Sequence, residues 1–417
     1  MSSLNVAFVG LGYIGLPTAV VMANSGVNVV GVDVNTVNVE KINRGEVTIV
    51  EPGLQEELTA ALESGRFRAT TEQVHSDAYI IAVPTPFTEN YDVDMKYIYS
   101  AAEAIAPQLV GDELIVLEST SPPQTTAKMA QRILECRPDL VADGVENPDN
   151  KPVIYFAHCP ERILPGYAME ELRTNDRIIG GQTAEATRRA IEIYATFCKG
   201  ELLATNDVTA EMAKLTENSF RDVNIAFANE LSLICDKLGI DVWELINLAN
   251  HHPRVDILQP GPGVGGHCIA VDPWFIVAAD PENSELIHTA RKVNDGKPGW
   301  VINKVKDAVS KTDAKKVAVL GLAFKADIDD LRESPALNIA VDLAEELENK
   351  TIFAVEPNVS ELPKRLKGFD NVELKEYKEA IATSEVVVLL VDHKEFREFD
   401  ASGLENKVLV DTKGLWK

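Results

Sequence analysis

A chain of 417 residues is too long for one ordinary domain and calls for two or three. Its 45% hydrophobic share can build real cores, while a net charge of −25 argues against nucleic acid and anionic membranes as partners and reserves cations for wherever an anion binds. Five cysteines without a C-x-x-C, seven histidines without an H-x-x-x-H, and no apolar run near about 20 residues leave no signature of a disulfide framework, a zinc site or a membrane span.

Met1 to Asn5 carries no basic residue, and the apolar stretch that follows is broken at once by glycines, so no secretory leader is expected and a reducing cytoplasm is. That stretch, VAFVG (6–10), reads as a buried strand and runs into Gly10-Leu11-Gly12-Tyr13-Ile14-Gly15, a G-x-G-x-x-G opening a helix. The first glycine permits the tight turn, the second lets backbone approach a pyrophosphate, and the third lets helix pack on strand. The helix N-terminus then presents its N–H groups to the phosphates. At the tip of the next strand, VVGVD (29–33), Asp33 is placed to bind ribose hydroxyls and repel a 2′-phosphate, so the expected cofactor is NAD rather than NADP.

YIIAV (79–83), ELIVLES (113–119) and VIYFA (153–157) read as further buried strands, with helical patterns at 54–64 and 95–107. Alternation of this kind predicts a parallel sheet covered on both faces. Glu161 follows in HCPERILPG, on a loop constrained by Pro160. From 207 to 238 the apolar residues Met212, Leu215, Val223, Phe227 and Leu231 recur at helical spacing, predicting one long helix that Gly239 ends. Glu211, Lys214, Asn218 and Arg221 share a face of it, either as a solvated side or as a site in which Lys and Asn bind a water or an oxyanion.

The segment GPGVGGHCIAVDPWF (261–275) ends its most pliable stretch on His267 and Cys268, with Asp272 one turn on. Glycines there let backbone crowd a ligand, and the loop's N–H groups suit an oxyanion; the residues alone leave Cys268 open between a nucleophile and a small hydrophobe. From Lys316 the alternation resumes with KVAVLGLAF (316–324), TIFAVEP (351–357), EVVVLLVD (385–392) and NKVLVD (406–411). VAVLGLA echoes VAFVGLG, but the other glycines are gone, so this copy is expected to bind something else or nothing. The expected fold is α/β: two Rossmann-like doubly wound parallel-sheet domains, 1–205 and 301–417, joined by a central helical and catalytic-loop region, 206–300.

NAD paired with a thiol narrows the chemistry. Removing a hydride from an alcohol needs no cysteine, whereas carrying an aldehyde on to an acid benefits from one, through a thiohemiacetal, a thioester and hydrolysis.

Together GLGYIGLP, IAVPTPF, ESTSP, CPERILPG, AEMAKLTENSFRDVNIAFANEL, GPGVGGHCIAVDPWF, GLAFKADIDDLRESPA and DTKGLWK resemble the UDP-glucose/GDP-mannose dehydrogenase family over almost the whole chain. That family consists of NAD-dependent four-electron oxidases that turn a nucleotide-sugar C6 alcohol into a carboxylate. The resemblance implies that Cys268 is the nucleophile, that Lys214 is proton donor and acceptor and steadies the oxyanion with Asn218, and that Asp272 and Glu161 support water activation. It places Thr120 near the reacting carbon. Thr85, Thr126 and Arg332 match cofactor-contacting positions, with Tyr13, Ile14 and Asp33. Arg162, Arg221, His252, Arg254, Gly265, Phe324 and Lys325 match substrate-binding ones, and Glu161, Lys214, Asn218 and His267 join them.

The UDP-glucose branch typically has Pro-Glu-Phe-Leu where this chain has Pro160-Glu161-Arg162-Ile163, and serine where it has His267. Both departures favour a UDP-N-acetylhexosamine, with the branch acting on UDP-N-acetyl-D-mannosamine the nearest resemblance and UDP-N-acetyl-D-glucosamine the rival epimer. Gln124 also departs, standing where the family commonly has glycine. The family forms homodimers through the middle helix, the arginine matching Arg254 reaching the neighbouring subunit, and no metal is implied. A catalytically inactive nucleotide-sugar-binding regulator and a one-step alcohol dehydrogenase are the competing readings; the first leaves Cys268, Lys214, Asn218 and Glu161 together without a purpose, the second Cys268.

Overall fold

A computed structural model of the chain describes residues 4–88, 91–164, 166–266 and 268–416. Its contacts divide into two units, Met1–Glu217 and Asn218–Lys417, with the division inside the long helix Asp207–Leu238.

The strands of the first unit are β1 (Asn5–Val9), β2 (Asn28–Val32), β3 (Phe67–Thr70), β4 (Ala78–Ile81), β5 (Leu114–Leu117), β6 (Val141–Ala142), β7 (Val153–His158), β8 (Arg177–Gly181) and β9 (Leu202–Asn206). They lie in the order β3-β2-β1-β4-β5-β7-β8-β9, with β6 beside β7. β1 is parallel to both neighbours, Val6 standing opposite Val29 and Ala78. Its run of apolar residues is explained by burial on both faces: Val6 and Phe8 enter a core with Leu16 and Val20, Ala7 and Val9 one with Ile98, Ile105 and Met129.

One pairing breaks the parallel expectation. β7 runs antiparallel to β8, with His158 opposite Gly180. The chain therefore turns back at the end where it left β7, and the loop carrying Glu161 stays at the carboxyl end of the parallel strands. β3, β8 and β9 carry no continuous apolar run; β3 and β9 are edge strands with exposed positions, and β8 contains two glycines.

The second unit continues the long helix, which ends at Gly239 with the Ile240 N–H donating back to the Cys235 carbonyl at 2.9 Å. Helices Val242–Ala249, Asp272–Ala279 and Glu285–Thr312 follow. Then come β10 (Lys316–Leu320), β11 (Thr351–Val355), β12 (Val372–Leu374), β13 (Val386–Leu389) and β14 (Val408–Asp411), all parallel in the order β12-β11-β10-β13-β14.

This repeats the first sheet's β3-β2-β1-β4-β5, and the repeat reaches single hydrogen bonds. Gly10 N–H donates to Val32 at 2.8 Å and Gly321 N–H to Val355 at 2.8 Å. Leu11 N–H donates to the Asp33 carboxylate at 2.8 Å, and Leu322 N–H to the Glu356 carboxylate at 2.8 Å. After that the copies part. Helix Gly15–Asn24 follows the first turn directly, whereas residues 321–334 form a long loop before helix Pro335–Glu346.

Candidate active site

In the first unit the strand order reverses about β1, whose two neighbours β2 and β4 lead outward in opposite directions; this is where ligands bind in open parallel sheets. The glycine loop sits there. A Cβ on Gly15 would lie 1.8 Å from the Gly10 carbonyl oxygen, and one on Gly10, at φ +97°, 2.3 Å from that of Ala82. Gly12, by contrast, has nothing within 4 Å of a Cβ, so its face is open. Asp33 is fixed at the strand tip by N–H donors from Leu11 and Asn35, each at 2.8 Å. A closely packed turn, an open middle glycine, a helix N-terminus and an oriented carboxylate fit a dinucleotide. The Tyr13 hydroxyl donates to Glu51 at 2.8 Å, which ties the loop to the Gly166 and Ala168 N–H groups on the same carboxylate.

The loops after β4 and β5 are joined by the Thr85 hydroxyl, which donates to the Thr120 carbonyl at 2.8 Å. Thr126 is the second residue of a helix, Thr125–Cys136, and is fully buried. Its N–H and hydroxyl both donate to Glu211 at 2.7 Å, while the Gln124 N–H donates to the other oxygen at 2.6 Å. Glu211 thus caps this helix instead of lying on a solvated face, and burial pushes its carboxyl up to about 7 against the pull of those donors. Gln124 has φ +74°, the left-handed region in which glycine is at ease.

Glu161 is buried, one oxygen accepting from the Arg162 and Ile163 N–H groups at 2.6 and 3.0 Å, the other from Arg177 at 3.1 Å. The Arg162 guanidinium is 2.8 Å from Glu217 and donates to the Asp176 carbonyl at 2.9 Å. Lys214 is half-buried on the long helix, one turn before Asn218.

In the second unit Asn218 donates to Asp272 at 2.5 Å. Asp272 is buried at the start of its helix, where its N–H and that of Val271 donate to the Cys268 carbonyl at 2.8 and 3.0 Å. That turn leaves the Cys268 thiol exposed beside a helix N-terminus. The glycines before it are demanded by packing: a Cβ on Gly265 would lie 2.5 Å from the Glu333 carbonyl oxygen and 3.1 Å from Phe324, and Gly266 faces the Phe324 ring. Gly265 and Phe324 are therefore neighbours. Arg221, His252, Arg254 and Lys325 are exposed, the Arg254 N–H donating to His252 at 3.3 Å, and Arg332 pairs with Asp330 at 2.6 Å. His267 lies outside the described residues.

A buried polar chain escaped the sequence reading. Asn229, on the long helix, accepts from the Gly261 N–H at 2.9 Å and donates to Asn294 at 2.9 Å. Asn294 donates to Asp222 at 2.8 Å, and Asp222 pairs with buried Arg291 at 2.6 Å. It fastens the start of the cysteine loop to two helices. Only the i, i+3 spacing of Arg291 and Asn294 hinted at it, since its partners are far apart in sequence. Among the described residues no group of three His, Cys, Asp or Glu could hold a metal ion, and no helix is long and apolar enough to cross a membrane.

Models of the UDP-glucose/GDP-mannose dehydrogenase family match residues 4–198 with the NAD binding domain, 208–296 with the central domain and 318–417 with the UDP binding domain. A UDP-N-acetyl-D-mannosamine dehydrogenase of Escherichia coli K12 is 53% identical over 425 aligned positions covering 100% of both chains. An NDP-N-acetyl-D-galactosaminuronic acid dehydrogenase of Ralstonia nicotianae is 52% identical, covering 99% of this chain and 96% of its own. The structure of UDP-D-ManNAc dehydrogenase from Pyrococcus horikoshii superposes with a TM-score of 0.87 at 36% identity, covering 99% of this chain and 96% of that one.

Proposed function

Because this chain belongs to the UDP-glucose/GDP-mannose dehydrogenase family and is an NAD-dependent nucleotide-sugar dehydrogenase, we propose that it oxidises the C6 alcohol of UDP-N-acetyl-D-mannosamine to the carboxylate. The single observation carrying the four-electron reading is the exposed Cys268 thiol at the head of the turn that Asp272 and Asn218 brace at 2.5 Å. A one-electron-pair dehydrogenase has no use for that construction.

Gly10, Gly12, Gly15 and Asp33 would hold NAD, with Tyr13, Ile14, Thr85, Thr126 and Arg332 around it, and the bound cofactor would supply the hydride acceptor for C6 in each of two rounds. Lys214 takes the C6 hydroxyl proton at its amine as the first hydride leaves. The Cys268 sulfur, its proton released to solvent, then bonds to the aldehyde carbon, and Lys214 and Asn218 steady the resulting oxyanion. After the second hydride is lost, C6 is a thioester. Water adds to it, its proton passing to the Glu161 carboxylate; the C6–S bond breaks and its electron pair leaves on the Cys268 sulfur. Asp272 holds Asn218 in place throughout. Arg162, Arg221, Arg254 and Lys325 supply positive charge for the diphosphate, with Phe324, Gly265, His252 and His267 completing the substrate contacts.

A second sugar has a specific observation behind it, the 52% identity to the Ralstonia enzyme, nearly equal to the 53% with the Escherichia one. The test is a panel of UDP-N-acetyl-D-mannosamine, UDP-N-acetyl-D-glucosamine, UDP-N-acetyl-D-galactosamine and UDP-glucose with NADH counted per sugar consumed. The proposal expects two NADH and fastest turnover on the first. One NADH per sugar points to the simple dehydrogenase, and no turnover of any sugar to the regulator. The uronate product suits a surface polysaccharide made from cytoplasmic precursors, which deletion of the gene would test by loss of that polymer. The working form is a homodimer formed through the long helix, supported by an exposed apolar stripe: Phe220, Phe227 and Ile234, 71%, 52% and 47% exposed, recur every seven residues.

A further inference from the structure

Glu161 is held from below by a group that no motif points to. Arg177, the first residue of β8, is 3% exposed and lies with its guanidinium 5.2 Å from the Tyr194 ring centre and 5.3 Å from that of Phe197. One of its nitrogens donates to Glu161 at 3.1 Å. The other stands 3.5 Å from Glu118, also buried, which accepts from the Tyr194 hydroxyl at 3.3 Å. One cation thus faces two carboxyls in a dry site, and it gives its hydrogen bond to Glu161. Burial, with the nearby Glu161 charge, pushes Glu118 up to about 8, so Glu118 carries its proton at neutral pH and the guanidinium is left to Glu161.

A buried ion pair is poor value as a source of stability, because desolvation offsets most of the attraction. Its return here is placement. We propose that Arg177 is the positioning residue for Glu161, clamping one carboxylate oxygen from inside the sheet while the Arg162 and Ile163 N–H groups clamp the other. The two rings fix the guanidinium, the guanidinium fixes the carboxylate, and β8 can supply the arginine because its antiparallel return starts at the same sheet end as the Glu161 loop. The inference rests on Glu161 being the group that takes the proton of the hydrolytic water.

Full-length enzyme is mixed with UDP-N-acetyl-D-mannosamine and NAD, quenched, and followed by NADH absorbance and intact mass. With Arg177→Met the first NADH burst is retained, steady turnover falls about 100-fold, and the acyl adduct accumulates on Cys268. Arg177→Lys, which keeps the charge without the planar fork, accumulates less adduct and recovers part of the turnover. If Arg177→Met is folded yet holds no adduct, or loses burst and turnover in equal proportion, the positioning role is overturned. Should Arg177→Met fail to fold, Arg177→Lys decides: slowed turnover with adduct supports the role, and wild-type turnover with no adduct overturns it. Glu161→Gln must itself accumulate adduct; its failure to do so removes the reading of Glu161, and the inference with it.

Discussion

Cys268 and Glu118 show two ways in which a side chain's surroundings decide its chemistry. The thiol is exposed at a helix start; Cys268→Ser keeps the shape but loses the proposed nucleophile, and the expected outcome is no acid product. Two NADH per sugar from that variant would refute the covalent route. Glu118 is a buried acid with a raised pKa, so its effect on stability has a definite sign. As pH climbs from the usual carboxylate range, near 4.3, to about 8, the unfolded chain releases this proton while the folded chain keeps it. The contribution of Glu118 to stability therefore falls across that window and is level above it. Glu118→Gln cannot titrate, so its stability relative to wild type should rise by up to a few kcal/mol between pH 5 and 8 in denaturant titrations. A constant difference would mean that Glu118 ionises normally in the fold. The pliable loop before Cys268 was legible in the sequence because its glycines announce a crowded turn. Arg177 was not, since a lone arginine opening RIIGG says nothing of two carboxyls 59 and 16 positions away.

Elements were legible in proportion to their burial. β1, β4, β5, β10, β11 and β13 are covered on both faces and show it as unbroken apolar runs, and the long helix could be read from its first turn to Gly239. β3 at one sheet edge alternates over only four residues and β9 at the other is short and half exposed, so neither stands out, and the reversal at β8 depends on where the chain re-enters the sheet, which periodicity does not encode. The same limit hid the tether of the cysteine loop. Asn229→Ala would strand the buried Gly261 N–H and the Asn294 side chain, at about 1–3 kcal/mol. Thermal or urea unfolding measures the loss, and a lower kcat should accompany it because the loop that presents Cys268 is loosened. An unchanged kcat would show that the loop is set by Phe324 and Pro335 alone.

At the scale of the whole molecule, the internal repeat was visible as VAFVGLG and VAVLGLA, and the structure carries it through to the same strand order and the same turn hydrogen bonds. What the repeat does in its second copy was not visible, because it turns on a residue distant in sequence, His393. The stripe of Phe220, Phe227 and Ile234 likewise gains meaning only once the helix is seen to leave those residues exposed. Phe227→Glu places a charge in its middle and should convert the proposed dimer to monomers by light scattering, with each monomer still folded by circular dichroism. A dimer that persists would move the interface elsewhere.

In that second copy, Glu356 accepts from Leu322 and Ala323 N–H groups at 2.8 and 3.0 Å, and His393 Nε2 lies 3.0 Å away on the same carboxylate. The Asp327 N–H donates to the other ring nitrogen, so Nε2 carries the proton and donates it to Glu356. The carboxylate that would have read a ribose is spent on its own protein. On the proposed reading the first copy alone cradles a dinucleotide, and calorimetry should count one NAD per chain. An oxidation that consumes two must reload that cradle halfway through, with the sugar already stripped of its first hydride. On the proposed covalent route the sulfur of Cys268 would then have a further task as a leash, keeping a reactive half-product from drifting away while the spent carrier is exchanged for a fresh one.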